Sequence, residues 1–504
     1  MSDASVHAAL RSAATLVVVE APGGCGKTHQ GADYAHAIAA GSERLLILTH
    51  TNAACSVFAA RTVAAGARVQ IRTIDSLIAQ VANAYHAGLG LPADTAAWVR
   101  QTADGHAHLA MRTAALLRRH PMIAAALARR YPVVICDEHQ DCSDDQHAVA
   151  LALLEHGSRL RVFGDPMQQI YKKKALPGGS SGWTWGGLKA QAHTVEELDT
   201  PHRWATGCPD LGAWTLNARA ALQSGGKIDL RSNLPASVTV VVAENQAQKA
   251  MDYKLSGSDR RPIDTFERAQ ASLLVLTHHN ATARSFRSFF NRRIPLWEGH
   301  TRTALEGLVD AIRGANGDKG VVAAAAVGFI AETCKGFSPS AFADRFQKEV
   351  QDGCAARCRG KPATIQALGQ YIVAEPDHRG VAMMLRRLAE LRKSDSDFAA
   401  VELDCQKEYW DAVRLGDLGD LDAGLIEITN RRTYARPRPP ARAISTIHKA
   451  KGLECESVIV MPCDAKTFPD TIEGRCLLYV ALSRAKSSLM LVVSRAQPSP
   501  LLQL

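Results

Sequence analysis

The chain has 504 residues, 46% of them hydrophobic and 22% charged, which is the composition of a soluble globular protein of roughly two to four domains. No stretch approaches the ~20 consecutive apolar residues of a membrane span, and Met1-Ser-Asp-Ala-Ser5 lacks the basic start and apolar core of a secretory signal, so a cytoplasmic protein without a membrane partner is expected. A formal net charge of +9 points either to a polyanionic partner or to a generally basic surface.

In chain order, Thr15-Leu-Val-Val-Val-Glu20 predicts a buried strand. It runs directly into Ala21, Pro22, Gly23, Gly24, Cys25, Gly26, Lys27 and Thr28, a glycine-rich turn that opens a helix. Glycines there let backbone N–H groups turn toward phosphates, and the helix N-terminus adds partial positive charge. Lys27 reaches the terminal phosphates in such a loop, and the Thr28 hydroxyl completes a Mg²⁺ shell. The general pattern begins with glycine, where this chain has Ala21. These residues predict binding of a nucleoside triphosphate.

Strand and helix signals alternate to about residue 85, break off over an alanine-rich, helical stretch at 86–130, and resume from 131 to about 204. That is a parallel α/β domain, interrupted once. Pro132-Val-Val-Ile-Cys136 predicts a strand that delivers Asp137 and Glu138 at its carboxyl end, where ligands of open α/β sheets collect. Phosphoryl transfer needs a carboxylate for Mg²⁺, assigned to Asp137, and one to orient the attacking water, assigned to Glu138.

A second α/β domain is expected over 205–295 and 437–504, with strands at Val238–Val242 and Leu273–Leu276. Between its halves, 296–436 shows no alternating strand run and reads as a helical insertion ending in a basic, proline-rich linker at 431–440. Twelve cysteines are scattered without a Cys-x-x-Cys pair, as reduced cysteines used as small hydrophobes would be. Cys334, Cys354, Cys358 and Cys405 share one region, which leaves a metal or iron–sulfur site open.

The order of further motifs resembles the UvrD/Rep/PcrA helicases of superfamily 1. Leu46-Ile-Leu-Thr-His-Thr-Asn-Ala-Ala54, Arg72-Thr-Ile-Asp-Ser76 and Cys136-Asp-Glu-His-Gln-Asp141 are similar to their first-half motifs. So are Phe163-Gly-Asp-Pro-Met-Gln-Gln-Ile-Tyr171 and Leu198-Asp-Thr-Pro-His-Arg203. Leu274 to Arg284, Ser445-Thr-Ile-His-Lys-Ala-Lys-Gly-Leu-Glu454 and Leu478-Tyr-Val-Ala-Leu-Ser-Arg-Ala-Lys486 continue the series. The resemblance implies an α/β fold of two RecA-like parallel-sheet motor domains with helical insertions. It implies a DNA-dependent NTPase that uses ATP and Mg²⁺ and moves 3′-to-5′ on single-stranded DNA, or on DNA with single-stranded ends. It also implies roles: Gln168 as γ-phosphate sensor, Arg203 and Arg484 as transition-state arginines, and Glu454 at the sugar hydroxyl. Thr49, His50, Thr51, Asn52, Thr73, Thr446 and His448 would face DNA.

This chain departs from the family pattern in three places. No adenine-reading glutamine precedes Ala21, and His202 holds the position of the base-stacking tyrosine, so GTP or dATP is expected to serve beside ATP. His50 stands for a phenylalanine, and Lys172-Lys-Lys174 follows Tyr171 where an aromatic is usual. Lys172 then suits phosphates better than bases. Trp183 and Trp185 either supply the missing stacking or belong to the core. Both insertions are short for this family. Small UvrD-like proteins also act as partners of nucleases in anti-phage systems such as Gabija, so a regulatory DNA-sensing NTPase subunit with a nuclease partner is the alternative expectation.

Overall fold

The computed structural model describes residues 2–171, 176–248, 252–297, 302–337, 342–435 and 440–504. It divides into two compact units, one made of Met1–His279 with Thr446–Leu504 and one of Asn280–Ser445. The expected run Lys172-Lys-Lys174 and residues 436–439 of the basic linker lie outside the described residues.

The first unit opens with α1 (Ser2–Arg11), β1 (Leu16–Glu20), α2 (Lys27–Ala40), β2 (Leu45–Thr49), α3 (Asn52–Arg61), β3 (Val69–Thr73) and α4 (Ile74–Ala84). The stretch expected to be helical forms α5 (Thr95–Gln101), α6 (Gly105–Arg119) and α7 (Pro121–Arg130). Then come β4 (Val133–Cys136), α8 (Asp144–Glu155), β5 (Arg159–Gly164), α9 (Trp185–Gln191) and β6 (Thr194–Glu197). Among the described residues these six strands form one parallel sheet in the order β3-β2-β4-β5-β1-β6.

Strand alternation explains the layering. Leu16, Val18, Leu46, Leu48, Val134 and Val162 point to one face and pack with α4, α6 and α8, while Val17, Val19, Leu45, Ile47, Val133 and Ile135 point to the other with α1 and α2. Each such buried aliphatic side chain contributes about 1.5–3 kcal/mol. Leu109, Leu116, Leu117 and Ile123 join the first of these clusters, so the helical stretch at 86–130 is part of the core that covers the sheet.

After α10 (Pro209–Gln223) and β7 (Ile228–Asp229), the chain adds β8 (Val238–Ala243), α11 (Gly257–Ala269) and β9 (Leu273–Thr277). The second unit begins with α12 (Asn280–Phe289) and continues through α13 (Thr303–Ala315), α14 (Lys319–Thr333), α15 (Asp344–Gln351) and α16 (Lys361–Ala374). It ends with α17 (His378–Ser394), α18 (Gln406–Leu415) and α19 (Leu421–Ala435). Leu305, Ile330, Phe346, Leu368, Leu385 and Tyr409 centre its own hydrophobic core. It is not wholly helical: β10 (Cys334–Lys335) pairs antiparallel with β11 (Glu402–Leu403), at two residues each too short to leave an alternating sequence signal. β12 (Arg442–Thr446) leads back to the first unit.

There α20 (Ile447–Ala450), β13 (Cys455–Cys463), α21 (Ile472–Leu482), β14 (Ala485–Ser494) and β15 (Leu502–Gln503) complete the chain. β13 pairs parallel with β9 and β14, and β14 with β8. The first unit therefore carries two parallel α/β layers, as the two RecA-like domains require.

Candidate active site

The glycine-rich turn leaves β1, at the carboxyl edge of the first sheet. Gly24 and Gly26 have φ of 88° and 86°, a region that costs glycine nothing, and Gly26 caps α2. A side chain at Gly24 would meet the Trp204 ring at 2.7 Å, and one at Gly26 would meet His202 Cδ2 at 3.0 Å. The turn is thus walled by Pro201-His-Arg-Trp204, and the unsatisfied N–H groups of α2 open beside it. Ala21, Pro22, Gly23 and Cys25 are buried.

Strand β4 delivers the two carboxylates where expected. The Lys27 ammonium is ion-paired with Glu138 Oε1, and Gln140 Nε2 donates to Glu138 Oε2 at 2.5 Å. Burial works against the Glu138 charge, but Lys27, Lys451 and Gln140 outweigh it and hold its pKa at about 2. Burial likewise works against the Lys27 ammonium, and Glu138 and Asp137 hold it above the ordinary lysine range. Glu138 has φ of 54°, a left-handed backbone that non-glycine residues keep only where surroundings impose it.

Asp137 is 4% exposed, and burial, only partly offset by Lys27, pushes its pKa up to about 7. Its Oδ1 is buried without a hydrogen-bond partner. An oxygen placed that way fits a hard divalent cation, which Mg²⁺ chemistry meets with one or two carboxylates, a hydroxyl such as Thr28 and substrate phosphates. Among the described residues, no group of three or more His, Cys, Asp or Glu side chains is arranged to hold a metal ion, the cysteines at 334–405 included.

Gln168 stands between the two layers. Its Nε2 donates to Asp165 Oδ2 at 3.0 Å, and its Oε1 accepts from Arg484 Nη2 at 3.4 Å. Arg484 is buried and also donates to the carbonyls of Val480 and Leu453. Burial, reinforced by the charge of Arg203, pulls the Arg484 pKa down to about 10. Arg203 donates to the Ser483 carbonyl and to Glu454 Oε1 at 2.6 Å, while its Nε is buried without a partner. Glu454, expected at the sugar, is here the partner of Arg203.

Three contributors were not assigned from sequence. Tyr479 on α21 accepts the Gly23 N–H at 2.9 Å. Lys451 donates to both Asp141 carboxylate oxygens, at 2.8 and 2.6 Å, and to the Gln168 carbonyl at 2.7 Å. Arg219 on α10 is buried between Asp165 and Glu20, bonding to each. Tyr479 and Lys451 stood inside motifs already recognised; Arg219 had no sequence signal.

The residues expected at DNA divide into two sets. Thr51, Thr73 and Thr446 cap α3, α4 and α20, each accepting a backbone N–H at the start of its helix. Thr73 also lines an open groove of about 380 Å³ with Cys55, Gln70, Ile71, Arg72 and Ser76. Asn52 begins α3. His448 lies half-buried beside Tyr171, its Nε2 3.2 Å from the Ile170 carbonyl. Thr49 is 1% exposed and donates to the Thr51 carbonyl, so it shapes the turn instead of facing a ligand. His50 Nε2 is 3.2 Å from Cys142 Sγ. Trp183 stacks on His147 with centroids 4.5 Å apart and donates to the Cys142 carbonyl, and Trp185 Nε1 donates to Glu20. Both indoles pack against the first core, which is the packing alternative of the two left open.

His202 Nε2 is 2.7 Å from Asp3 Oδ2 on α1, and the imidazole remains half exposed beside Gly26. With this geometry in place, two comparisons align with it. The UvrD/REP helicase N-terminal domain family matches residues 95–175, which hold Asp137, Glu138 and Gln168. The UvrD-like helicase C-terminal domain family matches residues 426–496, which hold Glu454, Tyr479 and Arg484. No curated protein matches the chain.

Proposed function

Because the chain belongs to the UvrD-like superfamily 1 helicases, DNA-binding enzymes that hydrolyse ATP, we propose that it translocates along single-stranded DNA in the 3′-to-5′ direction. The observation that carries this reading is the meeting of groups from both α/β layers at one phosphate loop: Lys27, Glu138 and Gln168 from the first, Tyr479 and Arg484 from the second. Hydrolysis at such a site depends on closure of the two layers, and closure is what moves a strand.

Each residue has its task. The phosphate loop and Lys27 bind and orient the triphosphate, Thr28 and Asp137 would hold Mg²⁺, and Glu138 orients the attacking water. A bound Mg²⁺ would neutralise charge on the phosphates. Arg203 and Arg484 stabilise charge on the transferring phosphoryl group, and an arginine is suited to this because it keeps its proton. GTP and dATP serve beside ATP, since the phosphate contacts do not distinguish bases. The protein works in the cytoplasm.

A second reading is favoured by the way His50, Trp183 and Trp185 are occupied within the first layer. With fewer stacking residues free, the protein would grip a strand weakly and serve as a DNA-sensing NTPase subunit beside a nuclease partner in anti-phage defence. Base–aromatic stacking is worth about 1–3 kcal/mol per base, so the difference is measurable. Strand separation on a 3′-tailed duplex, followed beside NTP hydrolysis, tests both: unwinding with hydrolysis supports the helicase, and DNA-stimulated hydrolysis without unwinding supports the sensor.

A further inference from the structure

Given the nucleotide site proposed above, on which this reading rests, we propose that Arg219 is a positioning residue for hydrolysis. Through Asp165 it fixes which end of the Gln168 amide faces Arg484.

Helix α10, which carries Arg219, lies between the two layers. Its Leu216 packs against the core of the first layer, and Arg475 of α21 donates to the Leu222 carbonyl at its end. From this helix Arg219 reaches the carboxyl ends of the neighbouring strands β1 and β5, where Glu20 and Asp165 stand. All three side chains are buried. Arg219 Nη2 donates to Glu20 Oε1 at 2.7 Å and to Asp165 Oδ1 at 2.9 Å. Its Nε donates to the same Asp165 oxygen at 3.1 Å, and Nη1 donates to Gln223 Oε1 at 3.0 Å. A guanidinium presents these donors in a rigid fork, so it sets the direction of the Asp165 carboxylate as well as compensating its charge.

The consequence falls on Gln168. Asp165 Oδ1 is taken by Arg219 and by the Met167 N–H at 3.1 Å, and the Asp165 N–H donates to Gln140 Oε1 at 3.1 Å. Oδ2 is therefore left to face Gln168. A charged carboxylate only accepts, so the Gln168 amide must turn its NH2 toward it, and Nε2 donates there at 3.0 Å. The same nitrogen would lie 3.1 Å from a Cβ on Gly23, which places the amide against the phosphate loop. Its Oε1 then points at Arg484 Nη2, the attractive orientation. With Asp165 neutral or turned away, the amide is free to flip, and its NH2 would oppose the Arg484 guanidinium. A lysine at 219 would replace the fork by a point charge and leave the carboxylate direction unset.

The test is a double-mutant cycle in the full-length protein between Arg219→Lys and Gln168→Ala, read as kcat of DNA-stimulated ATP hydrolysis and as Kd for mant-ATP. Arg219→Lys should lower kcat by about 10²-fold, the effect of a ~1 Å misplacement, with Kd changed by less than about twofold. Gln168→Ala should lower kcat at least as much. Adding Arg219→Lys to it should lower kcat no further, because Arg219 acts through that amide, whereas a purely structural role would add its own loss. Arg219→Met combined with Glu20→Gln removes one buried charge of each sign, and carries the same expectation should Arg219→Lys fail to fold. Wild-type kcat in the Arg219 variants, a fall in affinity that matches the fall in kcat, or a further loss of about tenfold on the Gln168→Ala background would overturn the inference. Gln168→Ala hydrolysing ATP at the wild-type rate would overturn the sensor role in the proposed site, and the inference with it.

Discussion

Tyr479 Oη accepts a hydrogen bond from the Gly23 N–H at 2.9 Å, although the residues lie 456 positions apart in the chain. A phosphate oxygen bound by the loop would accept from the same N–H, so the phenol and the nucleotide compete for it. Tyr479→Phe removes the oxygen and keeps the buried ring. Nucleotide affinity should then rise about two- to tenfold, the equivalent of one neutral hydrogen bond, as read by mant-ATP titration. Weaker binding in Tyr479→Phe would mean that the hydroxyl helps to hold the nucleotide.

Lys27 and Glu138 form an ion pair, and their substitutions should separate binding from chemistry. Lys27→Ala should lose phosphate binding and turnover together. Glu138→Gln should keep nucleotide binding and lose turnover, because the water-orienting charge goes while the loop and Asp137 remain. Wild-type turnover by Glu138→Gln would remove that residue from the mechanism.

Arg203 follows β6 of the first layer and bonds to Glu454 and the Ser483 carbonyl, and Arg484 precedes β14 of the second layer and bonds to Gln168. Arg203→Ala and Arg484→Ala should each lower kcat by about 10³-fold with little change in nucleotide affinity, as for other supplied arginines. A comparable fall in affinity would place them in ground-state binding instead.

How much of this was legible in the sequence depends on separation along the chain. The phosphate loop, its preceding strand and the Asp137-Glu138 strand end are local patterns, and β1, α2 and β4 form where their periodicity places them. The two parallel layers follow from the same alternation. The contacts of Tyr479 with Gly23 and of Lys451 with Asp141 join residues hundreds of positions apart, and no local pattern encodes them. Trp183 and Trp185 illustrate the opposite difficulty: their sequence fits either stacking or core packing, and only the contacts with His147, the Cys142 carbonyl and Glu20 decide between the two.

Lys451 and Asp141 make a buried pair that ties the turn before β13 to the carboxylate motif. Removing one partner strands the other: Lys451→Ala should cost about 3–5 kcal/mol of stability, and the double variant Lys451→Met with Asp141→Leu should recover most of it. Denaturant unfolding of the three variants measures this. A double variant as unstable as Lys451→Ala would show that the pair contributes more than mutual neutralisation.

Burial holds the imidazoles of His50, His278, His279 and His448 below the ordinary pKa of 6.5. The unfolded chain takes up protons there as pH falls through about 6.5, whereas the folded chain does so only lower, so stability is lost as pH falls across that interval. The raised carboxyl of Asp137 works in the opposite sense over the same interval, so the test is the difference between variants: between about pH 7.5 and about pH 5.5, His278→Asn should lose less Tm than wild type. An equal slope in that variant would exclude His278 from the effect.

Displacement of streptavidin from biotinylated single-stranded DNA, followed while ATP is hydrolysed, tests directly whether the two-layer site drives movement along a strand. The account expects ATP-dependent release from a 5′-biotin, the end toward which a 3′-to-5′ motor travels, and no release by Arg484→Ala. Release from the 3′ end, or none from either end while DNA-stimulated hydrolysis proceeds, would contradict it.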